Sequence, residues 1–257
     1  MFPKVVSIDS FFLPTYGVLV ATAFLLALWV TVKLARRRGL NPEAVTNLAV
    51  YCALAGLLGA RLMMFVFDWN YYAANPGEIF SLATLQAAGV YQGGLILALI
   101  VAILYMRRQK LPVLATMDVF APGLALGHGV GRLGCFAAGC CWGAECKRPW
   151  AVTFTDPEAN RLTGVPLGTP LHPSQLYEAA AEGLIFVLLW RSIAQPHRDG
   201  HIFALYLLLY SAVRFVVEFF RSHAQALPFG LPLSNTQWIS LALFGAGLWL
   251  LRHRIRR

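Results

Sequence analysis

The sequence predicts an all-α polytopic membrane protein, with seven transmembrane helices and a periplasmic loop region between helices four and five. Of its 257 residues, 58% are hydrophobic and only 13% are charged, against roughly 25% charged residues in a typical soluble domain. Several apolar runs approach or exceed the ~20 residues that a helix needs to cross a bilayer. Because these runs are evenly spaced, we expect residues 1–257 to form a single integral-membrane domain.

The seven predicted spans are separated by polar connections, most of them short. The fourth span contains Asp118 and Pro122, and we expect it to face protein rather than lipid because polar groups within a span avoid hydrocarbon. The longest connection follows it and includes a short predicted strand at residues 152–154. The spans cover approximately residues 16–34, 44–67, 90–106, 113–130, 174–191, 201–220 and 237–251.

The basic residues predict the orientation of the chain. Most lysines and arginines follow spans one, three, five and seven, and few lie in the connections on the opposite side. Since cytoplasmic loops carry the excess of positive charge, the N-terminus is expected in the periplasm and the C-terminus in the cytoplasm. The formal net charge of +9 is thereby explained by topology, and we expect no nucleic-acid partner.

Three arginines, Arg61, Arg132 and Arg214, lie within spans or at their outer ends, all in the non-cytoplasmic half. An arginine inside a membrane is costly and normally has a partner. One interpretation is an anion site, because guanidinium binds phosphate through two parallel hydrogen bonds. The other is internal pairing, of Arg214 with Glu218 four residues later and of Asp118 with Arg61 or Arg132.

Glycines accompany two of these candidate sites. Gly131 and Gly134 flank Arg132, and glycine permits unusual backbone angles that let N–H groups approach a phosphate. Gln92-Gly93-Gly94 opens the third span in a similar way, although glycine pairs in membrane helices are more often packing contacts. These glycines favour the anion site over pairing alone.

The segment from His172 to Glu178 has the pattern of a helix start. Ser174 is expected to cap this helix, with Glu178 in its first turn. His172 and Glu178 are also candidate proton acceptors.

Four cysteines, Cys135, Cys140, Cys141 and Cys146, lie within twelve positions on the predicted periplasmic side, and Cys52 lies alone in span two. Their spacing does not match a common zinc template, in which C-x2-C pairs dominate. Three interpretations stay open: a structural disulfide, which is ordinary in an oxidising compartment, a reactive or metal-binding thiol, and inert packing.

Several short stretches resemble, in order and along nearly the whole chain, the prolipoprotein diacylglyceryl transferase family of the bacterial inner membrane. They are Tyr16-Gly17, Gly59-Ala60-Arg61-Leu62, Gly93-Gly94-Leu95, Gly131-Arg132-Leu133-Gly134, Phe136, Gly139, Trp142-Gly143, His172-Pro173-Ser174-Gln175-Leu176-Tyr177-Glu178, Tyr210, Arg214-Phe215 and Glu218-Phe219-Phe220-Arg221.

The resemblance implies a seven-span enzyme that carries out the first step of lipoprotein maturation. It implies transfer of a diacylglyceryl group from phosphatidylglycerol to the lipobox cysteine thiol of a prolipoprotein, with release of glycerol phosphate. No cofactor and no metal are expected, and the protein is expected to be a monomer. In this scheme Arg132 and Arg214 hold the lipid phosphate, Arg61 supports them, and Glu218 holds Arg214.

Hydrogen bonds from Tyr16 and Gln92 are expected to orient the lipid or the thiol. The expected catalytic residues are Arg132, Arg214, Gln92 and Tyr16, and the expected substrate-binding residues are Arg132, Arg61, Gly93, Gly94, Gly134, Cys135, Tyr210 and Glu218.

The chain also departs from the family pattern. Members generally have His-Gly-Gly where this chain has Gln92-Gly93-Gly94, and asparagines and a glutamate where it has Cys135, Ala138 and Cys140. Glutamine forms hydrogen bonds but does not act as a base at neutral pH. Two alternatives therefore stand beside the transferase: a catalytically inactive or re-purposed lipid-binding relative, and a membrane thiol oxidoreductase that uses the cysteines between Cys135 and Cys146.

Overall fold

A computed structural model describes residues 4–8, 11–81, 84, 89–221 and 232–255. Within these ranges the chain is mainly helical, and seven of its helices have 17 residues or more. In chain order the elements are β1 (Lys4–Ile8), β2 (Phe11–Pro14), α1 (Thr15–Arg37), α2 (Pro42–Phe67), α3 (Trp69–Ala74), α4 (Tyr91–Arg108), α5 (Val113–Ala138), β3 (Val152–Thr153), α6 (Pro157–Thr163), β4 (Pro170–Leu171), α7 (Ser174–Ile193), α8 (His201–Val217) and α9 (Asn235–Ile255).

Five helical segments are long and apolar enough to cross a membrane: α1, α2, α4, α5 and the stretch His201–Phe220 that begins with α8. The prediction of a polytopic membrane protein is confirmed at this level. Helices α7 and α9 are not among these five apolar segments of the described residues. Helix α7 carries three charged residues, Glu178, Glu182 and Arg191. The count of seven spans stays a prediction.

Local chemistry explains where these helices begin and end. Asn41 precedes α2, and its side-chain oxygen accepts hydrogen bonds from the backbone N–H groups of Glu43 (2.9 Å) and Ala44 (3.2 Å). Pro42 occupies the first helical position, where no N–H donor is needed. Helices α1 and α4 end in arginine pairs, which suit the negative end of a helix dipole. The predicted helix start at residues 41–43 is confirmed.

Helix α5 extends to Ala138, beyond the predicted end near Val130. Gly131 and Gly134 therefore lie in regular helix and have no positive φ angle. The expectation that they adopt unusual backbone angles and offer N–H groups to a phosphate is wrong, because helical N–H groups bond to the preceding turn. Gly134 instead allows close packing: an added Cβ would lie 3.3 Å from the Cβ of Leu19.

The chain divides into two compact units, one of residues Ala35–Thr116 and one of Met1–Leu34 with Met117–Arg257. The single domain expected from the sequence stays a prediction. In the smaller unit, α2 packs against α4 through glycines. A Cβ added at Gly94 would lie 2.7 Å from the carbonyl oxygen of Gly56, so this glycine permits helix packing, as is common in membrane helices.

In the larger unit, residues 139–173 connect α5 to α7. Strands β3 and β4 pair antiparallel there, and the predicted strand at 152–154 is confirmed for Val152–Thr153. Helix α6 begins after Asp156, whose carboxylate accepts a hydrogen bond from the N–H of Glu158 at 2.8 Å. The small core of this region consists of Phe154, Ala159, Val165 and Leu171. This core supports the segment that carries three of the cysteines.

Candidate active site

A buried carboxylate, Glu178 in the second turn of α7, lies at the centre of three arginines from other segments. The residue is 2% exposed. One carboxylate oxygen, Oε2, is 2.6 Å from Nε of Arg132, and the other, Oε1, is 3.6 Å from Nη1 of both Arg214 and Arg221. A buried charge needs such compensation, because losing its hydration costs several kcal/mol. We call Arg132, Arg214 and Arg221 the arginine cluster.

A histidine fixes the orientation of Arg132. The Nε–H of Arg132 donates to Nε2 of His128, one turn earlier on α5, at 3.1 Å. The other ring nitrogen, Nδ1, lies 2.9 Å from Oε1 of the buried Glu182. These two contacts are satisfied together by a neutral imidazole that donates from Nδ1 and accepts at Nε2. Arg132 is therefore positioned by Glu178 directly and by Glu182 through His128.

Arg214 is paired as the sequence predicted. Its Nη1 lies 2.7 Å from Oε2 of Glu218, four residues later, and the hydroxyl of Ser234 donates to Oε1 of Glu218 at 2.9 Å. The alternative pairing of Arg132 with Asp118 is wrong. The carboxylate of Asp118 instead accepts hydrogen bonds from the backbone N–H groups of Gly200 (2.7 Å) and Phe203 (2.8 Å). A carboxylate suits those groups because they form the positive end of a helix.

Charge and distance indicate what the arginine cluster can bind. Its three guanidinium groups contact two carboxylates, Glu178 and Glu218, and a third carboxylate, Glu182, reaches Arg132 through His128. Arg221 and Arg214 are 3.6 Å from Glu178, longer than the 2.7–2.9 Å typical of a charge-assisted hydrogen bond. Their N–H groups can turn from Glu178 to a phosphate ester that carries one negative charge.

Two tyrosines border the cluster. The ring of Tyr210 is 5.6 Å from that of His128, measured between centroids. Tyr16, the second residue of α1, is 43% exposed and lies within electrostatic range of Arg132. A Cβ added at Gly134 would lie 3.4 Å from the Tyr16 ring. The larger unit thus contains these predicted site residues: Tyr16, Arg132, Gly134, Cys135, Tyr210, Arg214 and Glu218.

Helix α5 ends in a turn that places two cysteines side by side. Gly139 has φ +78°, its N–H donates to the carbonyl of Phe136 at 3.2 Å, and the N–H of Cys140 donates to the carbonyl of Cys135 at 3.0 Å. This is the Schellman pattern, in which the two residues joined by the hydrogen bond that spans more of the chain, here Cys135 and Cys140, frequently have side chains in contact. Here those two side chains are the thiols of Cys135 and Cys140.

Cys141 completes a group of three thiols. Its φ of +59° is left-handed, which is uncommon for a residue other than glycine. The sulfur atoms of Cys135, Cys140 and Cys141 lie within 4.8 Å of one another. All five cysteines are free thiols in this structure, and the choice among disulfide, reactive or metal-binding thiol and inert packing stays a prediction. We call Cys135, Cys140 and Cys141 the thiol cluster, and these sulfur atoms are candidate metal ligands.

The start of α7 holds the backbone of the thiol cluster. The buried side chain of Gln175 donates from Nε2 to the carbonyl of Cys140 at 2.6 Å, and the buried hydroxyl of Ser174 donates to the carbonyl of Cys141 at 2.9 Å. The expectation that Ser174 caps α7, with Glu178 in the first turn, is wrong: the helix begins at Ser174 itself, Glu178 lies in its second turn, and the Ser174 hydroxyl donates to a buried carbonyl of the connecting segment instead.

The environment makes the three thiols unequal. Hydrogen bonds from Cys135 and Cys140, together with the charges of Arg132 and Arg221, lower the pKa of the Cys141 thiol. The hydrogen bonds to Cys135 and Cys141, and burial, raise the pKa of Cys140. Of these two thiols, Cys141 is therefore the more acidic. A thiolate is the form of cysteine that attacks electrophiles and binds metals.

The remaining predicted site residues belong to the smaller unit. The guanidinium of Arg61 donates from Nη1 to the carbonyl of Thr84. Gln92, the second residue of α4, is exposed, whereas Gly93 and Gly94 are buried where α4 meets α2. That these residues line the same site as the arginine cluster stays a prediction.

Sequence reasoning missed three charged or titratable groups of the site. His128 lies four residues before Arg132 and Glu182 four residues after Glu178, a spacing that places side chains on one helix face and could have indicated both. Arg221 stands in a stretch that resembles the family, but no spacing indicated its contact with Glu178, because that contact joins segments distant in sequence.

The two candidate proton acceptors have different surroundings. Nδ1 of His172 lies 3.0 Å from the hydroxyl of Tyr177, and its ring is 5.1 Å from that of Phe220. Glu178, by contrast, is surrounded by the arginine cluster. Its contacts suit an anionic anchor, while the role of either residue as a base stays a prediction.

Comparison with known proteins gives a consistent result. Residues 3–253 match the family model described as prolipoprotein diacylglyceryl transferase. Proteins named phosphatidylglycerol–prolipoprotein diacylglyceryl transferase are similar over most of their length. The one from Methylobacillus flagellatus is 34% identical (99% of this chain and 97% of the relative), that from Clostridium tetani 34% (91% and 90%), and that from Bordetella parapertussis 38% (81% and 78%).

Proposed function

The chain belongs to the prolipoprotein diacylglyceryl transferase family, and from this premise we propose that it transfers a diacylglyceryl group from phosphatidylglycerol to the lipobox cysteine of a prolipoprotein. The observation that carries the proposal is the arginine cluster, in which Arg132, Arg214 and Arg221 converge on one buried carboxylate, Glu178. Guanidinium groups bind a phosphate through parallel hydrogen bonds, and phosphatidylglycerol carries one phosphate.

The cluster acts on the phosphate in two ways. Arg132 and Arg214 bind it, and their charge stabilises the negative charge that develops on the leaving group. The acceptor thiol loses its proton to solvent, its sulfur forms a bond to the glyceryl carbon, and the bond from that carbon to the phosphate oxygen breaks. The electron pair of the broken bond leaves with glycerol phosphate. Arg221 joins the two expected arginines, and the expected support from Arg61 stays a prediction from the sequence.

The positions of the other predicted residues support this scheme. Tyr16 lies within electrostatic range of Arg132 and of the thiol cluster, which suits a hydroxyl that orients the lipid or the thiol. Glu218 holds Arg214 by direct contact. Gln92, with Gly93 and Gly94 behind it, would contribute hydrogen bonds rather than a base.

We also propose the topology that the charge pattern predicts. Helices α7 and α9 cross the inner membrane together with the five apolar segments, with the N-terminus in the periplasm and the C-terminus in the cytoplasm. The charged residues of α7 that lower its hydropathy, Glu178 and Glu182, face arginine and histidine rather than lipid. The protein is expected to act as a monomer.

A second candidate function is a membrane thiol oxidoreductase, and the observation that favours it is the approach of three thiols to within 4.8 Å. It requires cysteines that cycle between thiol and disulfide. Replacing Cys135, Cys140, Cys141 and Cys146 by serine would abolish such cycling.

The decisive experiment uses the purified chain in phosphatidylglycerol vesicles with a peptide that contains a lipobox cysteine. Peptide mass is followed over time, and phosphatidylethanolamine vesicles serve as a control. A mass gain of one diacylglyceryl group in phosphatidylglycerol alone is expected. No gain under any condition, with an oxidised peptide as product, would replace the transferase by the oxidoreductase.

A further inference from the structure

We propose that the thiol cluster of Cys135, Cys140 and Cys141 binds one Zn²⁺ ion whose fourth coordination position takes the acceptor thiol. The inference rests on the proposed transferase function and assigns it a metal that activates the sulfur. Four kinds of observation carry it: the distances between the sulfur atoms, the fixed backbone, the donor set and the nearby charge.

The sulfur atoms are already close to the spacing that zinc requires. A tetrahedral site with Zn–S bonds of ~2.3 Å separates its sulfur atoms by about 3.8 Å. The three sulfurs lie within 4.8 Å of one another, so adjustments of roughly 1 Å through side-chain rotation complete the geometry. The unusual C-x4-C-C spacing of these ligands follows from the Schellman turn, which pairs Cys135 with Cys140.

The backbone of the site is built before any metal arrives. Buried Gln175 and Ser174 hold the carbonyls of Cys140 and Cys141, and Cys141 keeps a left-handed φ. A residue persists in that region only where its surroundings determine it, and such residues concentrate at functional sites. Inert packing of three small thiols would not require this backbone.

The donor set selects the class of metal. Thiolates are soft ligands that prefer zinc or copper(I) to magnesium, calcium or manganese. In the described part of the chain, no fourth histidine, cysteine, aspartate or glutamate joins the three sulfurs. Three protein ligands with an open position are characteristic of catalytic zinc sites, whereas structural sites have four. Since zinc does not change oxidation state, it also does not oxidise the acceptor.

The surrounding charge suits this ion and its fourth ligand. Three thiolates with Zn²⁺ carry one negative charge, and an incoming thiolate adds a second. Arg132 and Arg221 both act electrostatically on Cys141, so both guanidinium groups can stabilise negative charge on the complex. The same two arginines contact Glu178 in the phosphate-binding cluster. One pair of guanidinium groups thus serves both the sulfur that attacks and the phosphate that leaves.

Zinc at this position promotes deprotonation of the acceptor thiol, which Gln92 does not do because glutamine is not a base at neutral pH. A free cysteine thiol has a pKa near 8.5 and is mostly protonated at neutral pH, whereas a thiol that coordinates a metal is deprotonated. The acceptor releases its proton to solvent as it binds, and a lone pair of the bound sulfur attacks the glyceryl carbon. The carbon–oxygen bond to phosphate breaks, and its electron pair leaves with glycerol phosphate. The product thioether is neutral, so it binds zinc weakly and dissociates.

The test begins with binding of the metal alone. The full-length protein is stripped with a chelator under reducing conditions, and Zn²⁺ is titrated into it; Co²⁺ is then used as a spectroscopic probe. We expect one ion per chain and a thiolate-to-cobalt charge-transfer band. Both are expected to be lost in Cys140→Ser and Cys141→Ser and retained in Cys52→Ser, whose thiol lies in the smaller unit. Absence of stoichiometric binding, or binding unchanged in both cluster variants, overturns the inference.

Transfer activity then separates the two proposals. We expect chelated wild-type protein to lose at least tenfold in transfer to the lipobox peptide and to recover it with Zn²⁺ but not with Mg²⁺. Transfer that is unchanged in protein shown to be metal-free overturns the zinc inference and leaves the proposed function intact. Stoichiometric zinc binding without transfer by any preparation refutes the proposed function and, with it, the role of zinc in activating an acceptor.

Discussion

Nε of Arg132 lies 2.6 Å from a carboxylate oxygen of Glu178, while its N–H is directed at His128. The contact with Glu178 is therefore mainly one between charges, and the aligned hydrogen bond goes to the histidine. A lipid phosphate that binds here competes with Glu178 for the same guanidinium. The site is pre-organised by carboxylates that a phosphate can partly displace.

Arg132→Lys is expected to lower kcat/KM for transfer by at least ~100-fold, which is the range found when one donor to a developing oxyanion is removed. A lysine keeps the charge but does not reproduce the planar, two-pronged contact of a guanidinium. The measurement is peptide mass gain in phosphatidylglycerol vesicles. Arg161→Lys is the matched control, because Arg161 is 69% exposed and pairs only with nearby Glu158 among the contacts of the described residues. Near-full turnover by Arg132→Lys would refute the phosphate clamp.

Glu178→Gln is expected to destabilise the protein by about 3 kcal/mol, since removing one partner leaves buried charges uncompensated. The substitution keeps the size of the side chain and removes the charge that three arginines face. Thermal unfolding in detergent measures the effect as a fall in Tm. Exposed Glu145 provides the control Glu145→Gln, for which no comparable fall is expected. An equal Tm for both variants would mean that Glu178 does not hold the arginines together.

The rate of alkylation of Cys141 in metal-free protein is expected to fall less steeply between pH 8 and pH 6 than that of free cysteine. Its pKa is lowered by the neighbouring thiols and by Arg132 and Arg221, so the reactive thiolate persists as the pH falls below the ordinary thiol value of ~8.5. Iodoacetamide labelling followed by peptide mass analysis gives the rate, with free cysteine in the same tube as the reference. Cys140→Ser weakens the hydrogen bonding and is expected to restore a steep dependence on pH. A wild-type rate that falls in parallel with free cysteine would contradict this assignment.

Gly59→Ala is expected to cost about 1–3 kcal/mol, the range for overpacking a filled interior. The added Cβ would lie 2.7 Å from the Cβ of Leu97 and would also meet the backbone carbonyl of Gly93. Gly56→Ala on the same helix is the control, because its nearest contact would be 3.9 Å away. Tm in detergent distinguishes the two, and a smaller loss for Gly59→Ala than for Gly56→Ala would contradict the packing of α2 on α4.

The presence of several membrane-spanning segments was predictable from the amino-acid sequence. Hydrophobic length, the arginines at helix ends and the Asn41-Pro42 start act within single segments, and the structure bears out the five most apolar ones. The pair of Arg214 and Glu218 was also predictable, because residues four apart on a helix are neighbours whatever surrounds them. The family followed from motifs that keep their order along the chain.

Tertiary structure alone decided how the site is assembled. Glu178 on α7 meets Arg132 on α5 and Arg221 beyond α8, and contacts between separate segments depend on how helices pack rather than on any local pattern. Asp118 shows the same limit, since the sequence suggested an arginine partner and the fold supplied two backbone N–H groups. The three thiols came together because one helix ends late, in a Schellman turn followed by a left-handed Cys141. A residue with ordinary right-handed preferences adopts that angle only when the packed structure around it requires it.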